Sequence, residues 1–156
     1  MTYHVSWSHL LPYIDKSRQQ IKNKLIEDAY STPYGQFCKK VHIKPYNEKW
    51  LKEKTEEKLR EEIYKGVKTY QYQVLCHSSS NGQTPFVSNN LCLREAQTQQ
   101  ELDDYVMLIE EILKRRIKGV KDSSGHYISP LFPKLLYWTC DGLNVNPEDP
   151  YFELTK

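Results

Sequence analysis

The stretch TPFVSNNLCL, residues 84–93, is a short and mostly apolar run that follows a polar, glycine-bearing segment, SSSNGQ. A second run of the same kind, PLFPKLLYWT, covers residues 130–139. Turn-forming residues bound both runs, which is typical of strands that are buried on both faces of a sheet. A helical pattern of roughly 20 residues separates the two runs. Together the three segments predict a right-handed β-α-β unit with parallel strands.

The helix between the two strands carries signals at both ends. It begins with a capping box, Thr98-Gln-Gln-Glu101, in which each of the two end residues binds the other's backbone N–H with its side chain. It ends with KRRIKG, which places cations and a glycine where the helix dipole and the C-cap favour them. The segment KDSSGHY is then predicted to be a turn.

Two further helices are predicted upstream. Residues 47–75 give the strongest helical pattern, with one apolar stripe made by Leu59, Ile63, Val67, Tyr70 and Val74. Residues 8–30 keep a looser helical period and end at YSTPYGQ. Residues 31–47 are predicted to be irregular, because they contain Pro33, Gly35 and Pro45. The tail NPEDPYFELTK is predicted to begin another helix.

Two parallel strands alone cannot cover both of their faces, so the chain is predicted to be part of a larger sheet or barrel. The predicted fold class is α/β, mainly helical, with two or more parallel strands. Residues 1–156 are treated as one partial domain, since this length supports a single hydrophobic core. Exposed apolar strand edges are expected to make the isolated chain associate or dissolve poorly.

The composition argues against several functional classes. The net charge of +2 gives no reason to expect a nucleic-acid or membrane surface. No apolar run approaches the roughly 20 residues of a membrane span, and the N-terminal sequence does not resemble a signal peptide, so a cytoplasmic protein is expected. The four cysteines are widely spaced and form no C-x-x-C pair, which favours reduced thiols and no metal site; they are Cys38, Cys76, Cys92 and Cys140.

Three blocks of the sequence resemble a known family. Residues 77–90 (HSSSNGQTPFVSNN), 109–138 (IEEILKRRIKGVKDSSGHYISPLFPKLLYW) and 146–156 (NPEDPYFELTK) are similar, in this order, to segments of class III anaerobic ribonucleoside-triphosphate reductases. The resemblance covers residues 48–156 well and residues 1–47 only loosely. It implies that residues 48–156 supply a long helix, a strand, a helix and a strand of a ten-stranded α/β barrel of the glycyl-radical enzyme type. Residues 1–47 would then form an N-terminal helical segment.

The resemblance also implies a chemistry. Enzymes of this family reduce ribonucleoside triphosphates to deoxyribonucleotides without oxygen. A glycyl radical, installed by an S-adenosylmethionine iron–sulfur activase, generates a thiyl radical on a finger-loop cysteine. The implied partners are therefore ribonucleoside triphosphates, ATP and dNTP effectors, the remaining reductase polypeptide, the activase and a second copy in a homodimer.

The catalytic motifs of the family are missing from this sequence. Neither the radical-glycine motif nor the finger-loop motif occurs in it, and none of its four cysteines falls in a catalytic motif. We therefore expect an internal part of the reductase that has no catalytic residue and no cofactor of its own and is inactive alone. The alternative from another class is a non-enzymatic remnant or dimerisation module; an unrelated helical binding domain is a weaker third possibility.

The candidate site combines a loop and the strand after it. The loop resembles the family segment through which an effector nucleotide influences substrate choice, although a plain helix-to-strand turn also explains it; it consists of Ser80, Asn81, Gly82, Gln83 and Thr84. On the strand lie Ser88, Asn89 and Asn90. Because strand residues alternate between faces, one asparagine should point into the barrel and the other toward the helices. Ribose or phosphate contact and an internal hydrogen-bond network both remain open for them.

Three other groups are interpreted as structural. Cys76 and His77 are adjacent and point in different directions on a helix, so they make a poor nucleophile and base. Glu110 and Glu111 diverge for the same reason, and Arg115 is a suitable partner for Glu111. The basic run is interpreted as a solvated helix end rather than a phosphate site; it consists of Lys114, Arg115, Arg116 and Lys118.

Overall fold

The computed structural model describes residues 2–76, 86–121, 124–130 and 132–156, and residues 2 and 3 by their backbone alone. In these residues the chain is mainly helical with a small parallel sheet, so the α/β class is confirmed at that level. The helices are α1 (Leu11–Ser31), α2 (Pro33–Lys40), α3 (Glu48–Cys76) and α4 (Gln99–Lys118). The strands are β1 (Thr2–Ser6), β2 (Phe86–Leu91), β3 (Val120–Lys121), β4 (Tyr127–Ile128) and β5 (Lys134–Tyr137). Short 3-10 helices lie at Trp7–Leu10, Leu93–Glu95 and Phe152–Leu154.

Three strands form one parallel sheet in the order β1-β2-β5. The central strand β2 pairs with β1 from Thr2↔Phe86 to Ser6↔Asn90, and with β5 from Ser88↔Lys134 onward. The predicted unit of strand, helix and strand is therefore present as β2-α4-β5, and its strands are parallel as predicted. Strand β1 is absent from the predicted elements.

The expectation that both predicted strands are buried on both faces is wrong for β5. Its residues alternate between exposed and half-buried, and Leu136 keeps 41% of its surface exposed. The reason is that β5 lies at the edge of the described sheet, where Leu135 lines a small cavity together with Val67 of α3 and Ile112 of α4. Only that face of β5 packs against helices.

Helix α4 starts and ends as its sequence predicts. The Thr98 hydroxyl accepts a hydrogen bond from the backbone N–H of Glu101 at 3.2 Å, and the Glu101 carboxylate accepts one from the Thr98 N–H at 3.2 Å. At the other end Gly119 adopts φ 74°, and a Cβ there would lie 2.5 Å from the Ile128 carbonyl oxygen of the β3–β4 hairpin. The glycine therefore permits both the left-handed backbone and the close approach of the hairpin.

The chain divides into two compact units, one of which is Pro12–Glu62. In this unit the Arg18 Nε lies 2.7 Å from the Glu56 carboxylate. The prediction of an irregular segment is wrong for residues 33–40, which form α2. The Thr32 hydroxyl accepts a hydrogen bond from the Gly35 N–H at 3.0 Å, and Pro33 occupies a first-turn position where a missing N–H costs nothing.

The other unit comprises the residues before Pro12 and after Glu62, and it contains the sheet. Its core includes Leu91, Tyr105 and Ile109, each at most 1% exposed. Near the tail, the Asn144 side chain accepts from the Cys140 N–H at 2.7 Å and donates to the Tyr137 hydroxyl at 2.6 Å.

The predicted helix in the tail is wrong. Residues 146–156 form turns and the single 3-10 helix Phe152–Leu154. The Asp149 carboxylate accepts hydrogen bonds from the N–H groups of Val145 and Asn146, and this local pairing competes with helix formation. Among the described helices of both units, none is long and apolar enough to cross a membrane.

Candidate functional site on strand β2

Only some of the predicted site residues lie in the part of the chain that the structure describes. The loop residues Ser80, Asn81, Gly82, Gln83 and Thr84 lie outside the described residues. Their role as an effector-facing loop therefore stays a prediction. Ser88, Asn89 and Asn90 lie in β2, the central strand of the sheet, where both neighbouring strands limit the directions that their side chains can take.

Asn89 faces the helices. It is 1% exposed, and its Oδ1 accepts a hydrogen bond from the Tyr70 hydroxyl of α3 at 2.8 Å. The Tyr70 ring packs edge-on against Trp7, with ring centroids 4.9 Å apart. Burial raises the pKa of the Tyr70 hydroxyl, which keeps it protonated and able to donate. Asn89 is thus a buried amide that joins the sheet to α3.

Ser88 and Asn90 face the opposite side, because residues alternate along a strand. In the parallel register Ser88 lies between His4 of β1 and Lys134 of β5, and partners in register project to the same face. His4 and Lys134 are exposed, whereas Ser88 keeps only 7% of its surface. We call His4, Ser88, Asn90 and Lys134 the polar strand face. A hydroxyl and an amide flanked by basic side chains can bind hydroxyl or phosphate oxygens.

Among the described residues, Asn90 is bonded through its backbone. Its carbonyl oxygen accepts a hydrogen bond from the Tyr105 hydroxyl of α4 at 3.2 Å. Its Oδ1 is buried and has no hydrogen-bond partner among the described residues. Tyr105 is fully buried, and this burial raises the pKa of its hydroxyl to about 12. A buried acceptor without a donor is costly, so Asn90 marks a position where a ligand donor would gain a hydrogen bond.

The carboxyl ends of the parallel strands gather further polar groups. At the end of β1, Ser6 donates to the Glu95 carboxylate and lies 3.0 Å from the Ser8 hydroxyl. Beyond β2 and β5, the thiols of Cys92 and Cys140 lie 3.8 Å apart. Burial is the main factor that raises the pKa of the Cys92 thiol, so this thiol is a poor nucleophile near neutral pH.

All four cysteines are free thiols in the structure. Within the described part of the chain, no group of three or more His, Cys, Asp or Glu side chains is arranged to hold a metal ion. Of the Cys76-His77 pair, only Cys76 is described, and it is exposed at the end of α3.

The interpretation of the basic run as a solvated helix end is wrong for two of its members. Arg115 is only 7% exposed, and the Arg116 guanidinium donates to the carbonyl oxygens of Pro130 and Pro133. Desolvation lowers the pKa of Arg116, as expected for a partly buried cation. Lys114 does lie at the surface, where its Nζ is 3.2 Å from the Glu110 carboxylate and 3.6 Å from that of Glu111.

Sequence reasoning missed His4 and Lys134 as site candidates. His4 belongs to a strand that was not predicted, and the position of Lys134 beside Ser88 follows from strand register, which no local pattern reveals. Strand alternation places Lys134 and Leu136 of KLLY on one face, but polar and apolar residues do not alternate in these four residues, so no sequence signal marked Lys134.

Comparison with known proteins decides the family. A model of the family described as anaerobic ribonucleoside-triphosphate reductase matches residues 5–156. The chain belongs to the anaerobic ribonucleoside-triphosphate reductase family. The resemblance seen in residues 48–156 is thereby confirmed, and the family match extends through most of the N-terminal segment as well.

Individual anaerobic ribonucleoside-triphosphate reductases give the same result. The one from Enterobacteria phage T4 is 31% identical over 133 residues, which are 83% of this chain and 20% of that protein. The one from Haemophilus influenzae is 28% identical over 133 residues, 83% of this chain and 17% of that protein. The one from Escherichia coli is 30% identical over 95 residues, 61% of this chain and 12% of that protein. The chain thus spans a fifth or less of the length of these relatives.

Proposed function

We propose that this chain forms the β1, β2 and β5 strands, with their helices, of the α/β barrel of an anaerobic ribonucleoside-triphosphate reductase. In that enzyme the polar strand face would line the barrel interior and contact the ribose or phosphates of the nucleotide substrate. The observation that carries the proposal is the buried and unpartnered Oδ1 of Asn90, which lies on the same face as Ser88. A ribose hydroxyl is a donor of the kind that this acceptor lacks.

The nitrogen-bearing side chains on this face support the same assignment. His4 and Lys134 flank Ser88 in register, and both are exposed on the described chain. A triphosphate is a strong acceptor of charge-assisted hydrogen bonds, so a lysine beside a serine hydroxyl is a suitable phosphate contact. We assign these residues to binding and orientation only. The radical glycine and the thiyl cysteine would come from the rest of the reductase, with the activase installing the radical.

The loop before β2 is the second part of the proposal. Residues 80–84 lie in the sequence between α3, which ends at Cys76, and β2, which begins at Phe86, so a change at this loop would reach Ser88 and Asn90 through a short length of backbone. We propose that this loop responds to an ATP or dNTP effector in a reductase homodimer.

The test is a reconstitution without oxygen. The 156-residue chain is mixed with a polypeptide that carries the remaining parts of the phage T4 relative, together with the activase, and deoxyribonucleotide formation is measured. We expect product from the mixture, none from the chain alone, and an activity loss of about tenfold or more for Asn90→Ala. Asn23→Ala, which changes an exposed asparagine on α1, is the matched control and should keep full activity.

Electron paramagnetic resonance distinguishes the ways in which this test can fail. If the glycyl radical forms and no deoxyribonucleotide appears, the proposed role of this chain in the barrel of an active reductase is overturned. If product forms and Asn90→Ala is as active as the parent, the family role stands, and the polar strand face is not the substrate contact.

A dimerisation module is the second candidate. It is favoured by apolar side chains that stay exposed on the sheet strands, of which Phe86 is 49% exposed, Leu136 41% and Val5 40%. Exposed apolar groups on edge strands are typical of surfaces that pair with another chain. Sedimentation velocity tests this. Association of the parent chain that Leu136→Lys abolishes supports the dimerisation module, and a monomer at all concentrations refutes it.

A further inference from the structure

A cavity of about 540 Å³ lies among α3, the C-terminal part of α4 and the β3–β4 hairpin. All the residues that line it belong to the unit that contains the sheet. It shares no lining residue with the polar strand face, so a ligand bound in it would be independent of the proposed function. We call this space the basic cavity, and its cationic lining residues are Lys65, Lys68, Arg115, Lys118 and Lys121.

The charge of the basic cavity is one-sided. Five cations line it, and no Asp or Glu among the described residues does. The chain as a whole is nearly neutral, at +2, so this concentration is a local feature and not a result of composition. Like charges gathered around one concave space repel each other and raise its potential, and an anion in that space would relieve the repulsion.

Arg115 provides a second, independent observation. It is more than nine-tenths buried, and its Nε–H is buried without a hydrogen-bond partner among the described residues. A buried guanidinium N–H without an acceptor is costly. Its planar fork suits two oxygens of one phosphate group, so a phosphate drawn into the cavity would supply the acceptor that the side chain lacks.

The end of α4 acts in the opposite direction, and its effect is smaller. The C-terminus of a helix carries roughly half a negative charge, which disfavours an anion nearby. Here one of the terminal carbonyls is already used, because the Gly119 N–H donates to the Arg115 oxygen at 3.0 Å. Five full cations outweigh the remaining partial charge.

Aromatic residues complete the walls. Tyr64, Tyr72 and Tyr127 line the same space, and the Lys121 Nζ lies 5.3 Å from the centre of the Tyr127 ring. Ring faces can stack on the planar part of a phosphate-bearing molecule, while the neighbouring cations bind its phosphates. The volume is within the range of roughly 300–1,000 Å³ that small-molecule sites occupy.

We propose that the basic cavity binds an oligophosphate anion, either a free inorganic one or the phosphate chain of a nucleotide. Arg115 and Lys118 of α4 would bind the phosphates from one side, and Lys65 and Lys68 of α3 from the other. Lys121 would close the site from the hairpin. The tyrosines would contact whatever the phosphates carry.

The experiment is calorimetric titration of the full 156-residue chain with three probes: inorganic tripolyphosphate, ATP and adenosine. We expect both anions to bind and adenosine alone not to bind. The double variant Lys68→Glu/Lys118→Glu should lower the affinity for both anions by about tenfold or more, because it reverses two of the five lining charges. The control, Lys16→Glu/Lys24→Glu, makes the same change in net charge at exposed positions on α1 and should leave both affinities within about twofold.

The outcomes separate the sources of the ligand. Equal affinity for tripolyphosphate and ATP supports a free oligophosphate, and tighter binding of ATP supports a nucleotide held also by the tyrosines. The proposal is overturned if neither anion binds, or if adenosine binds with the same affinity as ATP. It is also overturned if the control variant lowers the affinity for the anions as much as the cavity variant does. Circular dichroism checks that the variants fold, and Lys68→Ala/Lys118→Ala repeats the test without introducing carboxylates.

Discussion

Asn89 and Asn90 are adjacent in one strand, yet the two faces of the sheet give them different surroundings. On the helix face, the Asn89 side chain is bonded to the Tyr70 hydroxyl. On the opposite face, the Asn90 side-chain oxygen has no partner among the described residues, and its backbone carbonyl accepts a hydrogen bond from Tyr105. A buried amide that has its hydrogen-bond partner has a structural role, whereas a buried amide that lacks one is a candidate for ligand binding.

The largest effect on stability should come from Asn89, whose side chain has its hydrogen-bond partner. Asn89→Ala removes a fully buried amide and leaves the Tyr70 hydroxyl without its acceptor, so the free energy of unfolding should fall by roughly 2–3 kcal/mol. Urea denaturation followed by circular dichroism measures this loss. The exposed Asn23→Ala should change the same quantity by less than about 0.5 kcal/mol, and a similar loss in both variants would contradict the comparison.

Tyr70→Phe tests the other end of the same hydrogen bond. It leaves the ring packed against Trp7 and removes only the donor, so the buried Asn89 oxygen loses its partner at a cost of about 1.5–2 kcal/mol. Combined with Asn89→Ala in a double-mutant cycle, it should show strong coupling, since the two changes break one bond. Additive losses would mean that the pair does not interact. Tyr13→Phe, at a tyrosine that is 67% exposed, is the control.

Alkaline pH should lower the free energy of unfolding through Tyr105, whose hydroxyl donates to the Asn90 carbonyl. The pKa of Tyr105 is raised to about 12 in the fold, against about 10 in an unfolded chain. Its contribution is therefore fully present below pH about 10 and is lost as the pH rises through about 12, because the unfolded chain releases the proton first.

The expected loss is on the order of 2 kcal/mol, since each pKa unit corresponds to about 1.4 kcal/mol. Urea midpoints measured across this pH range provide the measurement. Tyr105→Phe should make the dependence of unfolding free energy on pH shallower, and an unchanged slope would exclude Tyr105 as its source.

The smallest effect on stability should come from Asn90→Ala. Its side-chain oxygen has no partner to lose among the described residues, and its backbone bond to Tyr105 is retained, so the free energy of unfolding should change by less than about 0.5 kcal/mol. A loss as large as that of Asn89→Ala would show that Asn90 has a structural role. Stability that is kept while reductase activity falls is the pattern expected of a binding residue.

The helices could be predicted from sequence because their signals are local. The capping box at Thr98 and the apolar stripe from Leu59 to Val74 identify α4 and α3 within a few residues. Helix α2 was missed because Pro33 and Gly35 were interpreted as breakers. In the fold Pro33 follows the capping Thr32 in the first turn, a position that favours proline.

The sheet and the site could be predicted from the sequence only in part. Alternation along β2 separates Asn89 from Asn90 in any register, but which of them meets the helices depends on long-range packing. His4 and the buried Arg115 were missed for the same reason. The first is positioned by a strand from the start of the chain, and the second is buried although no local pattern marks it.

The central place of β2 has a consequence for how the chain folds. Its first neighbour, β1, comes from the start of the chain, and its second, β5, comes after α4. Pairings between residues as far apart as Thr2 and Phe86 require the closure of a long loop, which slows folding. On a ribosome β1 must wait for residues 86–90, and β2 then stays open on one edge until residues 134–137 are made. Until then the unpaired N–H and C=O groups on that edge of β2 are open to pairing with another chain.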